Sequence, residues 1–255
     1  MSRPNVFRSN LTRRDIIAGL SVSAALPSAG FAATATSSSR MLVCGGSVVY
    51  DAILAGEERT PRWEAVREWR PGESKGLPAS YAAKAFETTD DCKPIDGGAN
   101  VLVTSSSGGV AIYERSSGNT SFYARVPNAH SACMLPGGYI VVASSVSPEG
   151  NALVLFHRSE SERNVFRTPL ESAHGVVWDE KRTMLYAVGM DHLEEYNFDH
   201  GNHAASLKLT RQSKLPTRGG HELSPGTSAN ELIVTTQGGV YLFDKASRGF
   251  TVHPR

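Results

Sequence analysis

Val101-Leu-Val-Thr-Ser-Ser-Ser-Gly-Gly-Val-Ala-Ile-Tyr-Glu114 reads as strand, tight turn, strand. A short apolar run, Val101 to Thr104, is followed by small residues, and a second run ends in an aromatic and a polar residue, Tyr113-Glu114. The pattern recurs along the chain. First runs begin at Met41, Ile140, Leu185 and Leu232, and the matching second runs end in Tyr50-Asp51, Phe156-His157, Tyr196-Asn197 and Phe243-Asp244. From Met41 onward the starts are separated by 60, 39, 45 and 47 residues. Runs rich in Val, Ile, Leu and Tyr suit the pleated surface of a sheet. Hairpins repeated every ~40–50 residues mark a β-propeller.

The sequence therefore predicts an all-β chain, a β-propeller of about five recognisable blades occupying residues 41–255. A β-sandwich is the other fold with this strand spacing, but its hairpins need not repeat in phase. No window after residue 32 sustains a 3.6-residue apolar period. The nearest, Trp63 to Trp69, reads either as a helical turn or as a strand with Trp63, Ala65 and Arg67 on one face. The hairpin from Met41 resembles the middle of a blade with no innermost strand before it, and no strand after Gly249 closes the ring. Four complete blades and one incomplete blade are expected, either because the first is completed unconventionally or because the chain is shorter than the full domain.

Composition limits the function classes. In 255 residues, 40% apolar and 20% charged, the chain has the make-up of a globular protein. Lys and Arg total 26 against 25 Asp and Glu. That balance offers no basic excess for a nucleic-acid backbone. No apolar run reaches the ~18 residues of a membrane span.

Residues 1–32 read as an export signal. Arg13-Arg14 precede a weakly apolar run, Ile16 to Leu26, and then Pro27-Ser-Ala-Gly-Phe-Ala32. The paired arginines resemble a twin-arginine signal, which carries folded cargo and predicts a periplasmic or secreted protein. Residues 33–40 read as a flexible leader. Losing Arg3, Arg8, Arg13, Arg14 and Asp15 leaves 22 basic and 24 acidic residues, a net charge of −2. Three cysteines, Cys44, Cys92 and Cys133, show no metal-like spacing. An oxidising compartment permits one pair, and Cys44 reads as a buried thiol.

The histidines carry the functional signal. His130 lies ten residues before Ile140, while His174 and His221 each lie eleven before Leu185 and Leu232. Each stands where a blade's innermost strand should begin, so the three converge at one end of the central channel. The equivalent point of the preceding blade falls at Asp90, Asp91 or Cys92, beside Lys93. Converging imidazoles suit a divalent metal ion, with Asp91 as a further ligand. Lys93 is then a candidate base, Arg218 a candidate anion contact and Glu222 a polar candidate beside His221. Three histidines that each satisfy a local carbonyl are the structural alternative. His192, His200 and His203 do not share the phase and read as solvated.

Val101 to Val110, Asn128-Ala-His-Ser-Ala132, Ala173-His-Gly-Val-Val-Trp-Asp179 and Gly219-Gly-His-Glu222 resemble an uncharacterised family of exported bacterial β-propellers of the WD40/YVTN-like kind. That resemblance spans residues 41–244 and implies further strands beyond this C-terminus. A looser similarity is to oligogalacturonide-lyase-type propellers. It implies a histidine-held metal at His130, His174 and His221 and β-elimination of uronic-acid linkages, though their glutamine ligand has no placed counterpart here. The resulting expectation is an exported propeller with an axial metal site, a lyase or hydrolase of acidic oligosaccharides. The alternatives are a non-catalytic propeller that binds proteins or glycans, and an inactive copy. Replacing Arg13 and Arg14 with lysine should hold the precursor in the cytoplasm, read by fractionation and immunoblot. Normal export of that variant would remove the twin-arginine reading.

Overall fold

The computed structural model describes residues 40–55, 62–201 and 204–254. The export signal, nearly all of the leader and His203 lie outside the described residues. The chain forms a five-bladed β-propeller. Blade 1 contains β1 (Arg40–Gly45), β2 (Val48–Ala55) and β3 (Arg62–Trp69). A short helix α1 (Ala79–Ala85) leads to blade 2, with β4 (Thr89–Ile95), β5 (Asn100–Ser105), β6 (Gly109–Glu114) and β7 (Thr120–Arg125). Blade 3 is β8 (Ala129–Leu135), β9 (Tyr139–Ser144), β10 (Ala152–His157) and β11 (Asn164–Pro169). Blade 4 is β12 (Gly175–Asp179), β13 (Met184–Val188), β14 (His192–Asp199) and β15 (Ser206–Lys214). Blade 5 is β16 (Leu223–Pro225), β17 (Glu231–Thr236), β18 (Gly239–Asp244) and β19 (Phe250–Val252).

Every blade is an antiparallel meander in chain order, three-stranded in blade 1 and four-stranded in the others. All five repeat runs fall inside strands β1, β5, β9, β13 and β17. The four-plus-one count follows directly, because β1 pairs like β5 and no described strand occupies the position of β4 in blade 1.

The core is a series of slabs between blades. Val101 and Val103 of β5 pack toward Leu42, Cys44 and Val49 of blade 1. Leu102 of the same strand packs toward Ile140, Val142 and Val154 of blade 3. Leucines and aromatics then fill the slabs between blades 3 and 4 and between blades 4 and 5. A strand covered on both faces has no solvent side, which explains uninterrupted runs such as Ile140-Val-Val-Ala143. The outer blades differ. In β17, Leu232 and Val234 are buried but Ile233 is half-exposed, and in β1 Met41 and Val43 are half-exposed.

Two local readings change. Trp63 to Trp69 is a strand, with Trp69 buried and Trp63 45% exposed. A helix does exist after the first blade, contrary to the expectation of none: α1 buries Tyr81, Ala82 and Ala85 and is followed by buried Phe86. Its seven residues are too short for the periodicity to stand out. The helix docks where Gly109 leaves room, since a Cβ there would fall 2.3 Å from the Ala85 carbonyl oxygen.

A second in-phase feature joins the blades. Two residues after the repeat aromatic, Arg115 forks onto Asp51 of the preceding blade, with Nε and Nη2 at 2.8 and 2.7 Å. Arg158, two after Phe156, forks onto Asp96 at 2.9 and 2.8 Å. Lys245, two after Phe243, reaches Asp179 at 2.8 Å. Blade 4 substitutes an aromatic contact, Phe198 against Tyr139 at 5.4 Å. The Lys245–Asp179 pair is buried, with side chains 6% and 7% exposed, whereas Arg158 and Asp96 are 31% and 36% exposed. Removing one partner of a buried pair strands the other charge, while surface pairs contribute little. Asp179 keeps a second cation in Arg182 Nη1 at 3.0 Å, so Lys245→Ala should cost about 2 kcal/mol, still more than the roughly 1 kcal/mol or less of Arg158→Ala, measured by urea unfolding. Equal losses would refute this ranking.

Candidate functional site

The inner strands bring the candidate histidines together. His130 is the second residue of β8, His174 immediately precedes β12 and His221 lies two residues before β16. The His130 and His174 rings stack with centroids 4.2 Å apart and planes 24° apart. His221 completes the group at 4.7 Å from His174 and 6.3 Å from His130. The inner strands approach closely enough here that a Cβ at Gly175 would fall 2.6 Å from Leu223. Glycine after His174 is thus a packing requirement of the axis.

The ring nitrogens are partly committed. His174 Nδ1 lies 3.0 Å from the Ser172 carbonyl oxygen and 3.1 Å from Ser145 Oγ. The carbonyl can only accept, so it favours the tautomer with the proton on Nδ1. His130 Nδ1 faces Asp90 Oδ1 at 3.3 Å, and Thr104 Oγ1 donates to the His130 carbonyl at 3.0 Å. Burial, and then the neighbouring His130, push the His174 pKa down to about 4, against the pull of the Ser172 carbonyl. Burial and His130 also lower His221. At neutral pH His174 and His221 are uncharged imidazoles.

A second layer surrounds Lys93. Its ammonium donates to Asp91 Oδ2 at 2.8 Å, Ser131 Oγ at 2.8 Å and the Ala132 carbonyl at 3.0 Å, with the Val176 carbonyl at 3.3 Å. Those partners come from β4, β8 and β12, so Lys93 ties three blades at the axis. Burial opposes its charge, but the carboxylates of Asp91 and Glu222 outweigh that and raise its pKa above the ordinary lysine value. A base needs the opposite shift. The three N–H groups are also already used, so the geometry makes Lys93 a positioning cation rather than a base.

Asp91 is 1% exposed, accepts from Ser131 Oγ at 2.8 Å through Oδ2, and leaves Oδ1 without a hydrogen-bond partner among the described residues. Glu222 is half-buried, and burial followed by the nearby Asp91 charge raises its pKa to about 7, with Lys93 pulling the other way. Arg218 does not join the group. Its exposed side chain donates from Nε to Asp191 at 2.8 Å. Asp90, Ser131, Ser145 and Ser172 are the additions that sequence reading did not assign roles. The small-residue runs after each first strand were the available signal for Ser145.

A shared metal ion needs ring nitrogens, rather than ring faces, directed at one point. The stacked His130 and His174 rings do not meet that requirement as they stand. Among the described residues no group of three or more His, Cys, Asp or Glu is arranged to hold a metal ion. Four clefts of about 200 to 440 Å³ open elsewhere on the described residues, and none of these is lined by the axial residues. We favour the axis as the candidate site because titratable groups from four blades converge there. No described helix is long and apolar enough to cross a membrane.

The chain matches a family of unknown function, DUF6528, over residues 51–253. It belongs to that family. The match covers all four candidate axial strands of the DUF6528 chain, from β4 to β16. No curated protein matches it.

The two layers titrate in opposite directions. A lowered His174 pKa means the folded state resists protonation, so stability falls as pH drops from 6.5 toward 4. A raised Glu222 pKa means the folded state holds its proton, so stability falls as pH rises from 4.5 toward 7. At about 1.4 kcal/mol per pH unit of displacement, each moves stability by roughly 3 kcal/mol, and the two offset one another. His174→Gln should leave urea midpoints that fall with rising pH between 4.5 and 6.5. Glu222→Gln should leave midpoints that rise across the same window. Identical slopes in both variants would contradict the assignment.

Proposed function

We propose that this DUF6528 propeller is an exported enzyme whose axial mouth cleaves a linkage in an acidic oligosaccharide, by elimination or hydrolysis, with Glu222 as the acid–base group. The observation that carries the reading is the convergence on the axis of two groups: the His130, His174 and His221 cluster, and the Glu222 carboxyl, next in sequence to His221, which burial and Asp91 raise to about 7. A group whose pKa matches the working pH exists in both protonation states and can give or take a proton in the transition state. Neutral imidazoles offer donors and acceptors to sugar hydroxyls. A sugar carboxylate placed over them raises their proton affinity and is met by imidazolium, so binding takes up protons. Lys93 holds the buried Asp91 in place at the floor of the site. The paired arginines at Arg13 and Arg14 support the exported part of this reading, in the periplasm or outside the cell.

A second reading puts a divalent cation on His130, His174 and His221, with Asp91 as a further ligand. It is favoured by the acceptors at Nδ1 of His130 and His174, the kind of partner that metal-bound histidines use. It requires the stacked rings to turn so that their Nε2 atoms converge. Elemental analysis of wild type beside His174→Ala separates the two readings: stoichiometric metal lost in the variant favours the cation.

The main test is a screen of uronic-acid oligosaccharides, reading unsaturated product by absorbance and new reducing ends by colorimetry. Glu222→Gln should retain binding and lose at least about 100-fold in turnover. Turnover unchanged in Glu222→Gln would overturn the assignment. Binding without turnover in wild type would make the propeller a glycan-binding platform, and protein capture without glycan binding would make it an interaction module.

A further inference from the structure

The interface between blades 1 and 2 contains a chemical group that the axial site does not use. Cys44 of β1 is 6% exposed and Cys92 of β4 is fully buried, and both belong to the same inter-blade core. Their strands are tied at one end. The Thr89 N–H and hydroxyl both donate to the Gly46 carbonyl, at 2.7 and 3.0 Å. Cys44 lies two residues before Gly46 and Cys92 three after Thr89. Cys44 and Cys92 are thereby brought to neighbouring positions of that core, close enough that Cys44 bears on the Cys92 thiol. Cys133 lies apart, in the core between blades 3 and 4. All three are thiols in the structure.

We propose that Cys44 and Cys92 are a disulfide-forming pair that, once oxidised, staples blade 1 to blade 2, and that Cys133 stays a thiol. Blade 1 is the three-stranded sheet, and among the described contacts its packing is to blade 2. A covalent link between β1 and β4 therefore fixes the least supported sheet to the rest. The chemistry is thiol–disulfide exchange with a small-molecule disulfide. One protein thiolate attacks a sulfur of that reagent, forming a mixed disulfide and releasing one thiolate. The second protein thiolate then displaces the other half. One external disulfide is reduced to two thiols, two protein thiols become one S–S bond, and their protons pass to the released thiolates. Both sulfurs are buried away from an external disulfide in the folded chain, Cys44 at 6% and Cys92 at 0% exposure. Exchange is accordingly slow in the native protein and fast while the chain folds or the interface opens.

The test uses the full chain, denatured and reduced, then refolded with oxidised and reduced glutathione, alkylated and mapped by mass spectrometry. One alkylated cysteine, Cys133, and a linked pair of peptides carrying Cys44 and Cys92 are expected. The oxidised protein should melt roughly 5–10 °C above the reduced protein. Cys133→Ala should retain the linked peptides, and Cys44→Ala should lose both the link and the response of Tm to oxidant. Three alkylated cysteines in a refolded protein with native circular dichroism would overturn the proposal, as would a bridge that includes Cys133. The wild-type mapping is decisive even where a variant fails to fold.

Discussion

Each inner blade of this propeller is buried on both faces, and that constraint governs the rest of the structure. A sheet packed between two others has no polar side to present to water, so β5, β9 and β13 are apolar without alternation. Side chains from one strand divide between two slabs, as Val101 and Val103 face blade 1 while Leu102 faces blade 3. The slabs give cohesion without direction, because hydrophobic contact is indifferent to a small slide of one blade past the next. The charged forks supply the register. Arg115 on Asp51, Arg158 on Asp96 and Lys245 on Asp179 recur at one repeat position and tie blades 2, 3 and 5 to the blade before, while Phe198 against Tyr139 serves blade 4.

The same radial geometry concentrates polar groups at the axis. Inner strands taper toward one another until Gly175 meets Leu223, and no room remains there for large apolar side chains. Residues at or just before the starts of these strands instead gather in two layers, His130 with His174 and His221, and Lys93 with Asp91 and Glu222. In that confined setting a charge is costly unless paired. Lys93 and Asp91 pair, His174 and His221 go neutral, and Glu222 is left with a proton held near pH 7. The chemical character of the site thus comes from competition between burial and charge among neighbours.

Much of this was legible in the chain. The repeat placed all five first strands, and the spacing of His130, His174 and His221 placed them at one end of the channel. Other features were hidden for physical reasons. The helix at Ala79–Ala85 has less than two full turns of pattern, too little to rise above the surrounding strands. The apolar faces of β1 and β17 look like those of the inner strands, yet the described structure leaves Val43 and Ile233 half-exposed.

Sequence alone determined the architecture and the convergence of the histidines, because a hairpin repeated in phase has few ways to bury its strands and carries its phase into space. Tertiary structure decided the roles. Lys93 became a positioning cation because its partners arrive from three blades, and Arg218 dropped out because Asp191 holds it at the surface. Only the assembled axis could show that the imidazoles stack and that burial and Asp91 push the Glu222 pKa up. Both depend on distances and burial between residues far apart in the chain, which spacing cannot encode.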